Sequence, residues 1–583
     1  MPALLLGCSL LATAPPAYAQ GPWTWSSQSV STSPGRAWAE QNAVDAAGDV
    51  YVTGAFVGTV NFPGAGTLNS MGNSQDTFVG KLNGVTGVWM WVTQGLDPGV
   101  GSGYGICVDN AGSVYVTGKF EGTFVIFPPM PPLPGSGGND VFVAKFDANT
   151  GQCVDRVAGG GANGNDVGRS IAWLPQIPGT PPGGLLFVTG EFTSPVAIFG
   201  SGGVGNAGGG GTSDIFVSQL SAAVLNWNNT ISVGGGGDDR GQGITVAPSP
   251  SASTPPFVYV TGGFESGTIV FGGTPLTNYG SSFSDIYVGK LDVGLTWQWV
   301  SQAGGIGRDE GMDVTYDPVS ADVYTTGHFE ALASTAGTVA TFGSFSFAPS
   351  PAYGGTDIFV ARLKTPTGLW AWARQAGGVN DDTGYAIDQD PSGRIYATGT
   401  FTSGPGLFGP TTLPNTAAGI GDVFISKLAN MGGWMWSRAD GGPGHDEGKG
   451  IALAGPSTVF ASGGFFASAQ FSPFTLTSVS RDAWVGRLPG TLPNLVVNTP
   501  MNVPPGGYQN ITVTGTGVAI LTGPVFAAGN VIVQNGGVWT SNCNILTGPG
   551  NFQLQAGGTI NICSPQGISL SGPTGDIQVT GTR

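Results

Sequence analysis

The feature that most constrains this chain is a phrase it repeats. Asp-x-aromatic-Val/Ile-x-Lys-Leu, or a close variant, begins at Asp76, Asp140, Asp214, Asp285, Asp357, Asp422 and Asp482. Between 22 and 33 residues before each comes a Tyr-Val-Thr-Gly-like phrase: Tyr51–Gly54, Tyr115–Gly118, Phe187–Gly190, Tyr259–Gly262, Tyr324–Gly327, Tyr396–Gly399 and Phe460–Gly463. Both series have seven members, and the Asp series is spaced by 60 to 74 residues. Self-similarity on this scale marks a fold built from one repeated supersecondary unit.

Each copy reads as four short strands. The first is of the Ile-Cys-Val-Asp type (Ile106 to Asp109), closed by a tight Asp-x-x-Gly turn; the second is Val114 to Phe120 and the third Val141 to Phe146. The fourth is a Trp-x-Trp segment such as Trp89 to Gln94. Alternation has period two, as in strands packed on one face. The 103 Gly and 42 Pro residues punctuate Val-, Ile-, Tyr-, Phe- and Trp-rich runs, so they indicate tight turns in an all-β chain, with no long helical pattern beyond residue 20. Four antiparallel strands repeated radially predict a seven-bladed β-propeller over residues 20–490. The last copy stops at Leu488 without a Trp-x-Trp strand, while Trp23-Thr24-Trp25 stands alone at the N-terminus. The N-terminal strand is therefore expected to close the last blade beside Asp482–Leu488, removing a free edge.

With these motifs in place, the chain resembles the bacterial SBBP, or seven-bladed β-propeller, repeat family across residues 23–488. The resemblance rests on Asp-x-x-Gly-x-Val-Tyr-Val-Thr-Gly-x-Phe, Gly-x-Asp-x-Phe-Val-x-Lys-Leu, Trp-x-Trp and Gly-Gly. It implies an exported propeller, often part of a large surface protein, and brings no catalytic residues to carry over.

Export is also expected from the N-terminus. An apolar run, Leu4 to Ala14, leads to Ala17-Tyr18-Ala19 before Gln20, which fits a signal peptide over 1–19. No Lys or Arg precedes the run, leaving the true start codon open. A lipoprotein reading at Cys8 would leave too short an apolar segment. No other stretch reaches the roughly 18 apolar residues of a membrane span. The net charge of −16, with 35 acidic and 19 basic residues, argues against nucleic acid as a partner and leaves cations, glycans and proteins.

Strand order predicts two unlike faces. The turns between first and second and between third and fourth strands are short. The opposite connections vary, including 127–139, 199–213 and 329–356, and variable loops on a rigid scaffold are where binding usually resides. On that face the fourth-to-first connection repeats Gly-Gly-…-Asp-x-Gly, with Asp166, Asp239, Asp309, Asp382 and Asp446 in the equivalent place. These five are the candidate site residues, beside the Asp that opens each third strand. They suit Ca²⁺, which takes oxygen ligands from flexible turns, or the capping of their own turns; capping is favoured. The recurring Lys81, Lys145, Lys290, Arg362, Lys427 and Arg487 are expected to pair with Asp45, Asp109, Asp317 and Asp390 as exposed ion pairs. Eleven of the fifteen Trp residues lie in the fourth-strand phrase, where filling the space between blades outweighs a glycan platform.

Chemistry is sparse. The two histidines, His328 and His445, lie far apart, and no nucleophile elbow, zinc helix or phosphate loop occurs. Asn149-Thr150-Gly151 and Thr367–Trp370 look like quinoprotein-propeller turns without a basic cofactor cluster. No cofactor is expected. Cys107 and Cys153 fall on strands too far apart to bond, whereas Cys543 and Cys563 could stack on adjacent rungs. Residues 491–583 lose the repeat and carry strands Ile511–Thr514, Val531–Gln534, Phe552–Gln555 and Ile568–Ser571 about 20 residues apart, which predicts a short β-solenoid-like segment lacking a closing cap. The expectation is a secreted or cell-surface binding or scaffold protein, an adhesion module recognising protein or glycan through the loop-bearing face. The rival reading is a secreted carbohydrate-active enzyme using carboxylates on that face.

Overall fold

In the computed structural model the described residues are 22–489, apart from 178–179, 249–254, 281–282, 331–338, 348–353, 416 and 456–457, most of 495–561, and 577–579. The expected signal peptide, Cys543, Cys563 and Ile568–Ser571 lie outside them. The chain is nearly all β and propeller-like, and it divides into two compact units, Pro22–Gly490 but for Pro410–Thr412, and the segment from Thr491 onward.

In the larger unit every copy of the repeat forms one antiparallel group of four strands. The first runs Arg36–Val44, Val50–Val57, Gln75–Leu82, Trp89–Gly95, with each strand paired to the next. The last is Glu447–Leu453, Thr458–Phe471, Phe474–Pro489 and, as outermost strand, Trp25–Gln28 from the N-terminus. Trp25 stands opposite Arg487 and Gln28 opposite Trp484, so the orphan Trp-x-Trp segment sits beside the third strand that lacked one. Innermost strands of successive groups lie side by side, and that of the last group lies against that of the first.

The repeated phrases have local causes. In the Tyr-Val-Thr-Gly strand Thr53 Oγ1 donates to the Phe78 carbonyl at 3.0 Å, and Thr117, Thr189, Thr261, Thr326 and Thr398 make the same bond to the third strand of their groups. This strand is central and buried on both faces, as Val50–Phe56 shows, which explains its run of β-branched and aromatic residues. In the first tight turn Asp109 Oδ1 accepts the N–H groups of Ala111 and Ser113 at 2.9 and 2.8 Å while Oδ2 accepts the Tyr115 hydroxyl at 2.9 Å.

The apolar cores lie between neighbouring groups. One joins Tyr51, Val79 and Trp91 of the first group to Phe120, Phe142 and Phe146 of the second. Another joins Trp25, Phe460 and Val485 of the last to Phe56, Phe78 and Trp89 of the first. The Trp-x-Trp segments fill these seams: Trp91, Trp299 and Trp372 donate their indole N–H to carbonyls of Ala148, Thr365 and Asn430 in the next group.

Where the connections between second and third strands are described, they carry regular pairing in place of the variable loops the sequence suggested. They form short hairpins, such as Val196–Phe199 with Gly202–Gly205. The hairpin of one group bonds the end of the fourth strand of the group before it: Phe199 with Gly159, Phe408 with Ala376, Ile126 with Leu96 and Thr341 with Gly304.

The smaller unit has three parallel sheets. Leu495–Val497, Ile511–Val513, Val531–Val533, Phe552–Leu554 and Ile577–Val579 stack in register in one. Met501–Val503 through Thr559–Asn561 form the second, and Gly506–Tyr508, Val525–Ala527 and Leu546–Thr547 the third. Val513, Leu521, Val533, Trp539 and Phe552 fill the space between them.

Candidate functional site

The five acidic candidates are placed beneath the surface. Asp166, Asp239, Asp309, Asp382 and Asp446 have no exposed area. Each carboxylate caps the connection around it. Asp166 accepts the N–H groups of Gly161, Thr193 and Ser194 at 2.7, 3.1 and 3.2 Å and the Ser194 hydroxyl at 2.7 Å. Asp382 takes Thr402 and Ser403 in the same way, Asp239 takes Glu265 and Ser266, Asp309 takes Gly305 and Glu330, and Asp446 takes Gly442 and Phe466. This shell of N–H and O–H donors complements a carboxylate, whereas Ca²⁺ requires six to eight oxygens. Among the described residues no group of three or more His, Cys, Asp or Glu could hold a metal.

The Asp that opens each third strand is buried, and Asp140, Asp285, Asp357 and Asp422 each lie beside a capping Asp across a Gly. Asp140, Asp214, Asp285 and Asp357 each keep one buried carboxyl oxygen without a partner. Asp357 and Asp382 face each other across Gly377, at φ 135°, where a Cβ would run into both side chains. Burial, and then the Asp382 charge, push Asp357 up to about 9. Burial and Asp76 push Asp97 up to about 8, and burial and Asp422 bring Asp446 to about 7. Burial thus shifts these paired carboxyls toward their protonated form.

In the basic series Lys81, Arg362 and Lys427 are buried and Lys145, Lys290 and Arg487 are half-buried, and only some pair with the expected acids. Lys81 meets Asp49 and Asp45 at 3.0 and 3.7 Å, and Lys427 meets Asp390 at 3.8 Å, all with side chains at most 19% exposed. Lys145 and Lys290 instead donate to the Ala222 and Thr365 carbonyls of a following group, and Arg362 binds Asp322 at 2.5 Å. Cys107 and Cys153 are free thiols, and burial pushes Cys153 up to about 12. His445 Nδ1 accepts the Gly421 N–H at 3.1 Å.

A site that the motif search missed lies where the innermost strands meet. Every first strand slips register by one residue against its neighbour at the same point, between Ala39 and Gln41 in the first group, Gly168 and Ser170 in the third, Gly448 and Gly450 in the last. The same shift occurs at Gly103/Gly105, Gly241/Gly243, Gly311/Asp313 and Gly384/Ala386. Such a bulge leaves one residue unpaired and re-aims its side chain. The residues concerned are Glu40, Tyr104, Arg169, Gln242, Met312, Tyr385 and Lys449, and all of them line one cavity of about 270 Å³, together with Gln41, Ser170 and Asp313. Each stands no later than midway along its strand, toward the fourth-to-first connections. A signal for it exists in the sequence: between a Gly or Ala and a small or polar residue, the repeat has one large position that varies from copy to copy, with only Tyr104 and Tyr385 alike.

The wall of this cavity is held from behind. Arg169 donates from Nε and Nη2 to Glu191 at 3.0 and 2.5 Å and stands 4.8 Å from the Tyr104 ring. Lys449 lies 3.4 Å over the Tyr385 ring and 3.8 Å from Glu447. Burial pushes Glu447 up, but the His445 bond and the charges of Lys449 and Arg481 overcome this and hold it at about 2. Glu40 accepts the Trp38 indole N–H at 2.8 Å and Gln242 donates to Glu310 at 2.8 Å. Asp313 accepts the N–H groups of Ile387 and Val314, and burial, then the Asp388 charge, push it up to about 7. His328 stands opposite Glu310 in the neighbouring strand, its Nδ1 without a partner, and burial pushes it down.

No family model matches the chain, and no curated protein matches it. Among solved structures it is similar to a protein of unknown function from Dyadobacter fermentans, with TM-score 0.37 and 10% identity over 80% of this chain and 98% of that one. It is also similar to a quinohemoprotein alcohol dehydrogenase from Comamonas testosteroni, with TM-score 0.36 and 11% identity over 81% and 76% of the two chains. Likenesses this distant bear on neither the site nor the activity.

Proposed function

We propose that the chain is an exported, SBBP-type seven-bladed β-propeller, closed by its N-terminal strand and followed by a solenoid-like segment, and that it binds a protein or glycan. The ligand is taken on the loop-bearing face, at the mouth of the cavity between the innermost strands. One observation carries this reading. A repeat conserved in its Asp, Thr, Gly and Trp positions delivers six kinds of side chain from its seven copies, through the same bulge, into one cavity, with only Tyr104 and Tyr385 alike. Structural need explains the repeated residues; it does not explain six residue types among seven copies at the single re-aimed position. The rival reading, a carbohydrate-active enzyme, would draw on Glu40 and Asp313 in that wall, but Asp313 already gives both oxygens to backbone N–H groups.

A glycan array probed with the full chain, with release of reducing sugar followed in parallel, tests this. Retention without turnover that is lost in Met312→Trp, which fills the cavity, is the expected result. Retention untouched by that variant places the ligand elsewhere. Sugar release abolished by Glu40→Gln favours the enzyme.

A further inference from the structure

We infer that this cavity takes a neutral, polyhydroxylated ligand, a single sugar ring at the end of a glycan, rather than an ion; the inference rests on the binding reading above. The protein as a whole carries a net charge of −16, yet the cavity wall sets Glu40 and Asp313 against Arg169 and Lys449. The two cations already have acidic partners outside the cavity lining, Arg169 in Glu191 of the neighbouring strand and Lys449 in Glu447 two residues earlier on its own strand, at 3.8 Å. They are also stacked on Tyr104 and Tyr385. An anionic ligand would gain little from cations so matched and would lose its own hydration. A cationic ligand at Glu40 would meet Lys449, whose charge already interacts with that carboxylate.

What the wall offers is an alternation of donors and acceptors with apolar surface between them. A hydroxyl both donates and accepts, so a ring of hydroxyls matches such a wall without leaving buried charge unbalanced. Met312 and the tyrosines provide surface for the C–H face of a sugar. At about 270 Å³ the cavity falls just below the roughly 300–1,000 Å³ of drug-sized sites. That size suits one ring with the rest of a glycan outside.

The test is calorimetry on the full chain with the methyl glycosides of glucose, galactose and N-acetylglucosamine, against glucuronate and putrescine. The expected result is binding of at least one neutral glycoside with a dissociation constant that changes less than about twofold between about 20 and 500 mM salt, because screening acts on charged ligands. Met312→Trp is expected to weaken it at least about tenfold, a loss near 1.4 kcal/mol. Tighter binding of glucuronate or putrescine, still lost in Met312→Trp, overturns the neutral class and leaves the site standing. Binding of none of the five probes, or binding that Met312→Trp leaves unchanged, overturns both.

Discussion

The paired carboxyls set how single residues respond to pH. Asp357, Asp97, Asp285 and Asp140 are pushed by burial from 3.8 to about 9, 8, 7 and 6, with a facing carboxylate contributing at all but Asp285. A group whose folded value is raised in this way stabilises the fold fully below its unfolded value and loses that contribution as pH rises through the folded value. The opposite case, Glu447 at about 2, gives stability present above its unfolded value and lost only in strong acid. Melting temperature should therefore fall by several degrees between pH 5 and pH 9, as followed by calorimetry. Asp357→Asn should flatten that slope and raise the melting temperature at pH 9, because an amide supplies a hydrogen toward Asp382 without a charge. A slope unchanged in the variant would show that the pair does not share a proton.

At the scale of the element, the seams depend on turns shaped to receive indoles. Gly151, at φ 71°, closes the turn between third and fourth strands of the second group, and a Cβ there would come within 2.6 Å of the Trp91 ring of the group before. Gly151→Ala meets both the left-handed backbone and the ring, so it should cost about 1–3 kcal/mol in denaturant unfolding, the range of an overpacked core position. Trp91→Phe keeps most of the apolar contact but loses the bond to Ala148, and should cost nearer 1 kcal/mol. Equal costs would mean that the turn, and not the indole, sets the seam. The strands themselves were legible from alternation and from the Thr-Gly and Trp-x-Trp phrases. The hairpins between second and third strands were not, because their partner is an edge in the preceding group, a pairing with no local signal.

At the scale of the molecule, the N-terminal strand holds the two ends of the larger unit together. Trp23 and Trp25 are buried, and Ser29 and Ser31 donate to Asp482, more than 450 residues away in the chain. Deleting residues 22–31 would expose the edge of Phe474–Pro489 and remove two buried indoles. A loss of roughly 5 kcal/mol or more is expected, with association through the bared edge, measured by thermal melting and light scattering. A melting temperature within a degree of the parent would show that the strand is dispensable for closure.

The sequence by itself determined the strand class, the repeat, the capping role favoured for Asp166 and its equivalents, and the pairing of the first strand with the last copy, because alternation, turn residues and an unpaired phrase are local facts. It pointed to the loop carboxylates as the candidate site, and to exposed ion pairs where Lys81 and Lys427 turn out buried. Only the tertiary structure decided that Glu40, Tyr104, Arg169, Gln242, Met312, Tyr385 and Lys449 share one cavity. The reason is physical: a bulge is a one-residue mismatch between two paired strands, so it exists only once the register is set. A ring of side chains from distant copies exists only once the innermost strands lie side by side.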